Sequence, residues 1–313
     1  MRFNQTQNKN KMNPDNILLA SAVSGGLDVQ GVTQYLFWIA TVAMAGGTAF
    51  FWLSKDDVLP KYRSTLIVSG LITGVAAFHY YRMAGIYAEG GFPTEYRYID
   101  WIITTPLMLI KFPMLLGLGS SGKKWLAQLV ALDVVMIVTA YIAEVSPLAS
   151  GNWWSFFLIA CAAELAIVWI LFSGMKDAIA KAEAPIAKAL RGMRGFILFG
   201  WLIYPIGLLL ALAGPDGGSI REISYNIADV INKVGFGLVA YYGVKTMSSV
   251  ASSRKSFTTL RSDSRSHHLL RDRHTRPPMA DPSGSAIRLT PSHHAAEPRI
   301  LRKTNIPVGF LPI

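Results

Sequence analysis

The sequence predicts an all-α membrane protein, a bundle of seven transmembrane helices. Of its 313 residues, 51% are hydrophobic and only 16% are charged, whereas a soluble protein of this size would carry more charge. The apolar residues form seven long runs, and about 20 helical residues cross a bilayer core. Continuous runs favour helices over the alternating strands of a membrane barrel. We place the spans near residues 32–53, 64–84, 98–118, 125–145, 153–174, 195–214 and 222–245.

The charges of the loops predict which way the helices run. Lys and Arg are abundant after spans one, three and five, whereas the loops after spans two, four and six have only Arg97 and Arg221 near their ends. Positively charged loops stay on the cytoplasmic side. We therefore expect a multi-pass protein of the plasma membrane with its N-terminus outside and its C-terminus in the cytoplasm. Odd-numbered spans then run inward.

The composition divides the chain into three parts. Residues 1–31 are predicted to form an extracellular N-terminal segment, and residues 32–249 the seven-helix domain. Residues 250–313 are rich in Ser, Arg, His and Pro, and this basic composition without apolar periodicity predicts a disordered cytoplasmic tail. Such a tail can contact anionic lipid. Nucleic acid is not an expected partner, because no aromatic interleaving or recognised motif accompanies the charge.

Several ionisable residues fall inside the predicted spans, where they are costly and are functional candidates by default. They are His79, Asp100, Lys111, Asp133, Glu164, Asp229 and Lys233. In span three, Asp100, Thr104 and Lys111 are four and seven residues apart, so they share one helix face, with Arg97 about one turn outside Asp100. This face carries polar groups from the outer half to the inner half of the membrane.

Span seven contains a lysine with a carboxylate one turn before it. Asp229 and Lys233 are four residues apart and share a helix face. A structural ion pair is the alternative, but burial of such a pair usually does no more than break even, and buried lysines form Schiff bases with aldehydes. Trp101 and Trp201 lie near the midplane and suit the walls of a slot for a flat conjugated ligand.

Three motifs together resemble those of the microbial rhodopsins. They are Arg97-Tyr-Ile-Asp-Trp-x-x-Thr-Thr-Pro in span three, Gly-Trp-x-x-Tyr-Pro in span six and Asp-x-x-x-Lys233 in span seven. The resemblance covers residues 32–245 and looks closest to the proteorhodopsin-like proton pumps, because His79 stands where that group keeps a histidine. It implies a light-driven outward proton pump, a homo-oligomer, with all-trans retinal in a pocket inside the bundle, bound to Lys233 as a protonated Schiff base.

The resemblance also implies roles for the other site residues. Asp100 would be the counterion and proton acceptor, Asp229 the second counterion and Lys111 the cytoplasmic proton donor. Most such pumps have Glu or Asp as donor, but a lysine-donor minority exists, and burial disfavours a charged amine. A lysine that extends to the interface without a transport role is the alternative. The further implied residues are Arg97, His79 and Thr104 around the acidic cluster, Glu144 near the exit, the Thr105–Asp133 pair between spans three and four, Met108 at a colour-setting position, and Trp101, Trp201, Tyr204 and Pro205 along the polyene.

Other functions fit the sequence less well. Chloride pumps of this family lack an anionic acceptor, and sodium pumps carry other residues at the positions of Asp100, Thr104 and Lys111. A photosensor that signals through a membrane partner needs no donor and is the alternative function. We do not expect an enzyme, since the sequence shows no nucleophile–base pair, phosphate loop or metal site. Glu164 has no role in this interpretation.

Overall fold

The computed structural model describes residues 28–275, with only the backbone described at residues 121, 258–260 and 262–275. Every regular element in this part of the chain is helical. Two short 3₁₀ turns, Ser54–Asp57 and Pro60–Tyr62, link the first two helices. The α-helices are α1 (Val29–Leu53), α2 (Arg63–Ala88), α3 (Thr94–Leu116), α4 (Gly119–Val145), α5 (Gly151–Trp169), α6 (Lys176–Lys181), α7 (Ala184–Gly195), α8 (Ile203–Leu210), α9 (Gly217–Val230) and α10 (Phe236–Thr275).

These helices form the seven predicted spans, and the last three spans each contain a π-helical turn. Ile170–Gly174 extends α5, Phe196–Gly200 leads from α7 towards α8, and Ile231–Gly235 joins α9 to α10. Helices α1 to α5 are therefore spans one to five, α7 with α8 is span six, and α9 with α10 is span seven. Wide turns of this kind occur frequently at functional sites, and Lys233 lies in the third one.

One side chain ties the π-helical turns of spans six and seven together. Asn232 donates from Nδ2 to the carbonyl oxygen of Gly200 at 2.8 Å. The Asn232 amide occupies the space that a Cβ at residue 200 would need, so glycine is required there for this close approach. The contact fixes the positions of the two segments that carry Trp201 and Lys233.

Local sequence explains where several helices begin and end. Asp28 caps α1 by accepting a hydrogen bond from the Gly31 amide at 2.7 Å, and Ser150 caps α5 through the Trp153 amide. Such side chains satisfy amides that have no partner within the helix. Helix α3 ends at Gly117, whose positive φ of 62° suits glycine.

Six segments are long and apolar enough to cross a membrane. They are Val29–Asp57, Pro60–Ala88, Thr94–Leu116, Gly122–Val145, Gly151–Gly174 and Ala184–Leu210. Span seven is less apolar than these six, because Arg221, Glu222, Asp229 and Lys233 interrupt its apolar residues. All four are buried, so their charge faces the bundle interior and not the lipid.

The outward surfaces of the spans are apolar. Phe78, Leu158, Trp169 and Phe199 are large hydrophobic side chains that are all more than half exposed. Because a water-soluble protein rarely exposes large contiguous apolar patches, these surfaces indicate contact with lipid. The fold is thus the predicted all-α bundle, with an apolar outer surface and with buried ionisable residues placed within a largely apolar interior.

The last helix runs past the boundary predicted for the seven-helix domain. Helix α10 continues to Thr275, whereas the sequence predicts the domain to end at residue 249 and a disordered tail to follow. Residues 276–313, like residues 1–27, lie outside the described part of the chain. The predicted tail beyond Thr275 and the predicted N-terminal segment remain predictions.

Candidate functional site: a buried lysine between two carboxylates

The centre of the bundle holds Lys233 between two carboxylates from different spans. Its Nζ donates to Asp229 Oδ2 at 2.7 Å and also to Asp100 Oδ2. All three side chains are buried. The spacing of four residues in span seven brings Asp229 to Lys233, and α3 supplies Asp100. One ammonium group therefore neutralises only one of two neighbouring carboxylates.

The two carboxylates differ in how many hydrogen bonds they accept. Asp229 accepts from Tyr80 at 2.9 Å, from Trp101 Nε1 at 3.2 Å and from Tyr204, as well as from Lys233. Asp100 Oδ1 is buried and accepts no hydrogen bond from the described residues. Asp100 thus has an oxygen free to receive a proton, whereas Asp229 is held by neighbours on several spans.

His79 lies beside the free oxygen of Asp100. The distance from His79 Nδ1 to Asp100 Oδ1 is 3.9 Å, which is too long for a hydrogen bond. Nδ1 instead lies 2.9 Å from the carbonyl oxygen of Val75. A proton on Asp100 Oδ1 would therefore sit next to an imidazole.

The two threonines of the span-three motif have different partners. Thr104 bonds to Asp100, but its hydroxyl donates to the main-chain carbonyl at 2.9 Å and not to the carboxylate. Thr105 donates to Asp133 Oδ2 at 2.9 Å. The second bond links α3 to α4, so these two residues form the pair that the sequence predicts.

A buried network of charged groups extends from the site along the end of the bundle where α3 begins. Arg97 donates to Tyr80 at 3.0 Å, to Asn226 at 2.9 Å and to Glu222. Its guanidinium is fully buried. Since Tyr80 in turn bonds Asp229, the network is continuous with the lysine site.

The network continues from Glu222 to a second arginine and a second glutamate. Arg221 binds Glu222 at 2.9 Å and Glu144 at 3.1 Å. Glu144 also accepts from Thr94 and Tyr98, each at 3.0 Å. The predicted residue Glu144 is therefore not isolated, because it belongs to a network of two arginines and two glutamates.

Sequence reasoning missed Tyr80, Glu222 and Asn226. A usable signal exists for the last two, because Glu222, Asn226, Asp229 and Lys233 are spaced by four, three and four residues and share one helix face. Tyr80 had no such signal, since only the packing of α2 against span seven shows that its hydroxyl reaches Asp229.

Lys111 is also fully buried, but it has a different kind of partner. Its Nζ donates to the hydroxyl of Ser69 on α2 at 2.7 Å and lies 4.8 Å from the centre of the Phe236 ring. Among the described residues no carboxylate pairs with it. The amine is held inside the bundle, which argues against a lysine that extends to the interface.

A cavity lies beside the site, among spans three to seven. About 590 Å³ of space among these spans is not occupied by protein atoms, part of it open to the outside. Met108 is buried in the core but does not line it. The lining residues are Tyr98, Trp101, Thr105, Met136, Ile137, Ala140, Phe157, Ala160, Cys161, Glu164, Trp201, Tyr204, Pro205, Leu208 and Tyr225.

The cavity walls suit a flat apolar ligand attached to the neighbouring lysine. Trp101 and Tyr204 line the cavity and also donate hydrogen bonds to Asp229, the partner of Lys233. Their rings are 4.9 Å apart at 70°. Trp201 and Pro205 also line the cavity. The residues present therefore fit a conjugated chain whose one end is bonded to Lys233 Nζ.

Comparison with known proteins agrees with this geometry. Green-light absorbing proteorhodopsin from Gamma-proteobacterium EBAC31A08 is 37% identical over 230 residues, which cover 71% of this chain and 90% of that protein. Blue-light absorbing proteorhodopsin from Gamma-proteobacterium Hot 75m4 is 34% identical, with 71% and 89% covered.

Solved structures show the same architecture. The crystal structure of Exiguobacterium sibiricum rhodopsin has a TM-score of 0.67 and 45% identity, covering 70% of this chain and 98% of that one. Xanthorhodopsin, described as a light-driven ion pump with dual chromophore, has a TM-score of 0.67 and 27% identity, covering 72% and 96%. Residues 31–247 match the family of bacteriorhodopsin-like proteins. The chain therefore belongs to the bacteriorhodopsin-like family of microbial rhodopsins.

Proposed function

We propose that this protein is a light-driven outward proton pump with retinal bound covalently to Lys233. The observation that carries the proposal is the asymmetry around Lys233, whose neighbour Asp100 keeps one oxygen free of hydrogen bonds. The names of the relatives support it, since they include light-absorbing proteorhodopsins and a light-driven ion pump. Retinal would supply the absorption of light and a change of shape.

The residues of the chain can provide the proton steps. Asp100 is placed to take the proton from Lys233 Nζ, because the two groups are already hydrogen-bonded. Asp229 is saturated with donors and would keep the site oriented. Arg97 connects the site to Glu222 through a continuous set of buried contacts. When a proton neutralises Asp100, the change in charge would be felt along this network.

The return of a proton is assigned to Lys111. Asp100 lies near the beginning of α3 and Lys111 near its end, so their main chains are about 16 Å apart along the helix axis. The amine of Lys111 has a hydroxyl as its only described hydrogen-bond partner. It can therefore gain or lose a proton without breaking an ion pair, and it is on the opposite side of Lys233 from the arginine network.

The direction of transport follows from the charges of the loops. The loops after spans one, three and five are rich in Lys and Arg, which favours the cytoplasmic side. The end of the bundle with Arg97 and Glu222 is then the outer end, and the end with Lys111 is the inner end. A proton that leaves by Asp100 and is replaced from Lys111 moves outward.

Illuminated cells provide the test of this function. Cells that express the protein and are supplied with all-trans retinal should acidify their medium in light, and a protonophore should abolish the change. Asp100→Asn should bind retinal and form a pigment but lose all pumping, because the acceptor is gone. A pigment that absorbs visible light in the wild type without moving protons would contradict the pump and favour a photosensor.

A further inference from the structure

We infer that Glu164 on α5 faces the ring end of the bound retinal and shifts the absorption maximum of the pigment to longer wavelength. This inference rests on the proposed function, since it assumes retinal at Lys233. Glu164 lies in the middle of span five and lines the cavity beside the lysine site. An ionisable group at this depth is costly and needs a physical account.

Glu164 has no polar partner in the part of the chain that the structure describes. It is partly buried, and none of the described residues forms a hydrogen bond or an ion pair with it. The ionisable groups that line the same cavity are Cys161 and three tyrosines, Tyr98, Tyr204 and Tyr225, so no cation faces it there. A carboxyl group left without a partner interacts with whatever fills the cavity.

The cavity places Glu164 on the side away from Lys233. Lys233 contacts Asp100 on α3 and Asp229 on α9, and Trp101 and Tyr204 connect that corner to the cavity. The opposite wall is formed by α5, which contributes Phe157, Ala160, Cys161 and Glu164. A chain bonded to Nζ that enters the cavity beside these two rings therefore ends against α5.

Lys233 and Glu164 also lie at similar depths in the membrane. Lys233 is the seventeenth residue from the beginning of α9 at Gly217, and Glu164 is the fourteenth from the beginning of α5 at Gly151. Both helices begin at the outer end, so the two positions differ in depth by only about 5 Å at 1.5 Å per residue. An elongated ligand lying nearly parallel to the membrane plane would join them.

Electrostatics determines whether Glu164 shifts the absorption maximum to longer or to shorter wavelength. The positive charge of a protonated retinal–lysine linkage lies near Nζ in the dark and moves towards the ring when light is absorbed. A carboxyl at the nitrogen end, such as Asp100, stabilises the dark state and raises the excitation energy. A carboxylate at the ring end stabilises the excited state and lowers the excitation energy, because its negative charge is then closer to the displaced positive charge. Glu164 and Asp100 should therefore act on the colour in opposite directions.

The test is the absorption spectrum of purified pigments. Glu164→Leu should shift the absorption maximum to shorter wavelength, Glu164→Gln should do so less, and Glu164→Asp should stay closer to the wild type. Asp100→Asn should shift it to longer wavelength. Cys161→Ala is the matched control, because Cys161 lines the same wall one turn away and carries no carboxyl, and its shift should be much smaller than that of Glu164→Leu.

The outcomes separate this inference from the proposed function. An unchanged or red-shifted maximum in Glu164→Leu, or an equal shift in Cys161→Ala, overturns the role of Glu164 while the pump remains intact. If the wild-type chain forms no retinal pigment at all, the proposed function itself fails. If Glu164→Leu forms no pigment, the sign of the shift in Glu164→Gln decides, since its side chain has nearly the same shape.

Discussion

The two halves of the bundle, which the proposed function makes the outer and the inner half, give buried positive charge different partners. In the outer half, Arg97 and Arg221 are each paired with glutamate, and Glu222 binds both arginines. In the inner half, Lys111 is equally buried but is bonded to the Ser69 hydroxyl. Arg97 and Lys111 both lie on α3, so the difference between these two residues lies in what the neighbouring spans supply.

This difference separates a part that is fixed from a part that can change its protonation. Loss of one partner of a buried ion pair strongly destabilises the folded protein, because the other charge remains without compensation. The outer network is therefore expected to keep its charges through the reaction. The inner amine has no such pair among the described residues, so its charge can change at smaller cost. The comparison predicts that the half with the two arginines stays fixed and that the half with Lys111 takes up the proton.

The largest effect is expected at Lys233, which lies between the two halves. Lys233→Ala should abolish visible absorption completely in membranes supplied with retinal, because no other buried lysine in the described chain lies between two carboxylates. Lys111→Ala is the control and should retain the pigment. Covalently bound retinal that still absorbs visible light in Lys233→Ala would rule out the attachment site.

The next largest effect is expected in the outer half, at Glu222. Glu222→Ala removes the shared partner of Arg97 and Arg221, and loss of one member of a buried pair costs about 3–5 kcal/mol. The free energy of unfolding should fall by that amount, measured by loss of pigment absorption in denaturant or on heating.

Asp57→Ala is the matched control for that measurement. Asp57 pairs with Lys245 at 2.8 Å, but their side chains are 48% and 41% exposed. Exposed pairs contribute little to stability, so this variant should unfold nearly as the wild type does. Equal losses in the two variants would show that the outer network is not a buried, stabilising element.

Much of the fold could be predicted from the sequence because the bilayer imposes simple rules. Long apolar runs identify the spans, and the seventh was recognised although Arg221, Glu222, Asp229 and Lys233 lower its hydropathy. The end of the last helix was less predictable. Helix α10 continues as a polar helix to Thr275, where lipid no longer requires apolar residues and hydropathy carries no signal.

The candidate site could be predicted where its residues repeat along one helix. The spacing within α3 and within span seven identifies Asp100, Lys111, Asp229 and Lys233. Contacts between helices could not be predicted in this way, because they depend on how each helix is rotated. The bond from Tyr80 to Asp229 is of this kind.

The partner of Lys111 shows the same limit. The bond to Ser69 connects α3 to α2, and no spacing within either helix reveals it. Thr104 gives a smaller example, since the spacing places it one turn from Asp100 but does not reveal that its hydroxyl bonds the main-chain oxygen of Asp100. Sequence periodicity therefore finds the candidate residues, and packing decides which atoms meet.

The most direct test of the contrast between the two halves is the rate at which Lys233 Nζ regains its proton after a flash of light. In Lys111→Ala the loss of the proton to Asp100 should keep its wild-type rate, because Asp100 and the outer network are unchanged. The return of the proton should slow by roughly 100-fold, as expected for removal of a positioned proton donor, and should become proportional to the proton concentration of the medium. Return at the wild-type rate, independent of pH, would contradict the account and remove Lys111 from the transport path.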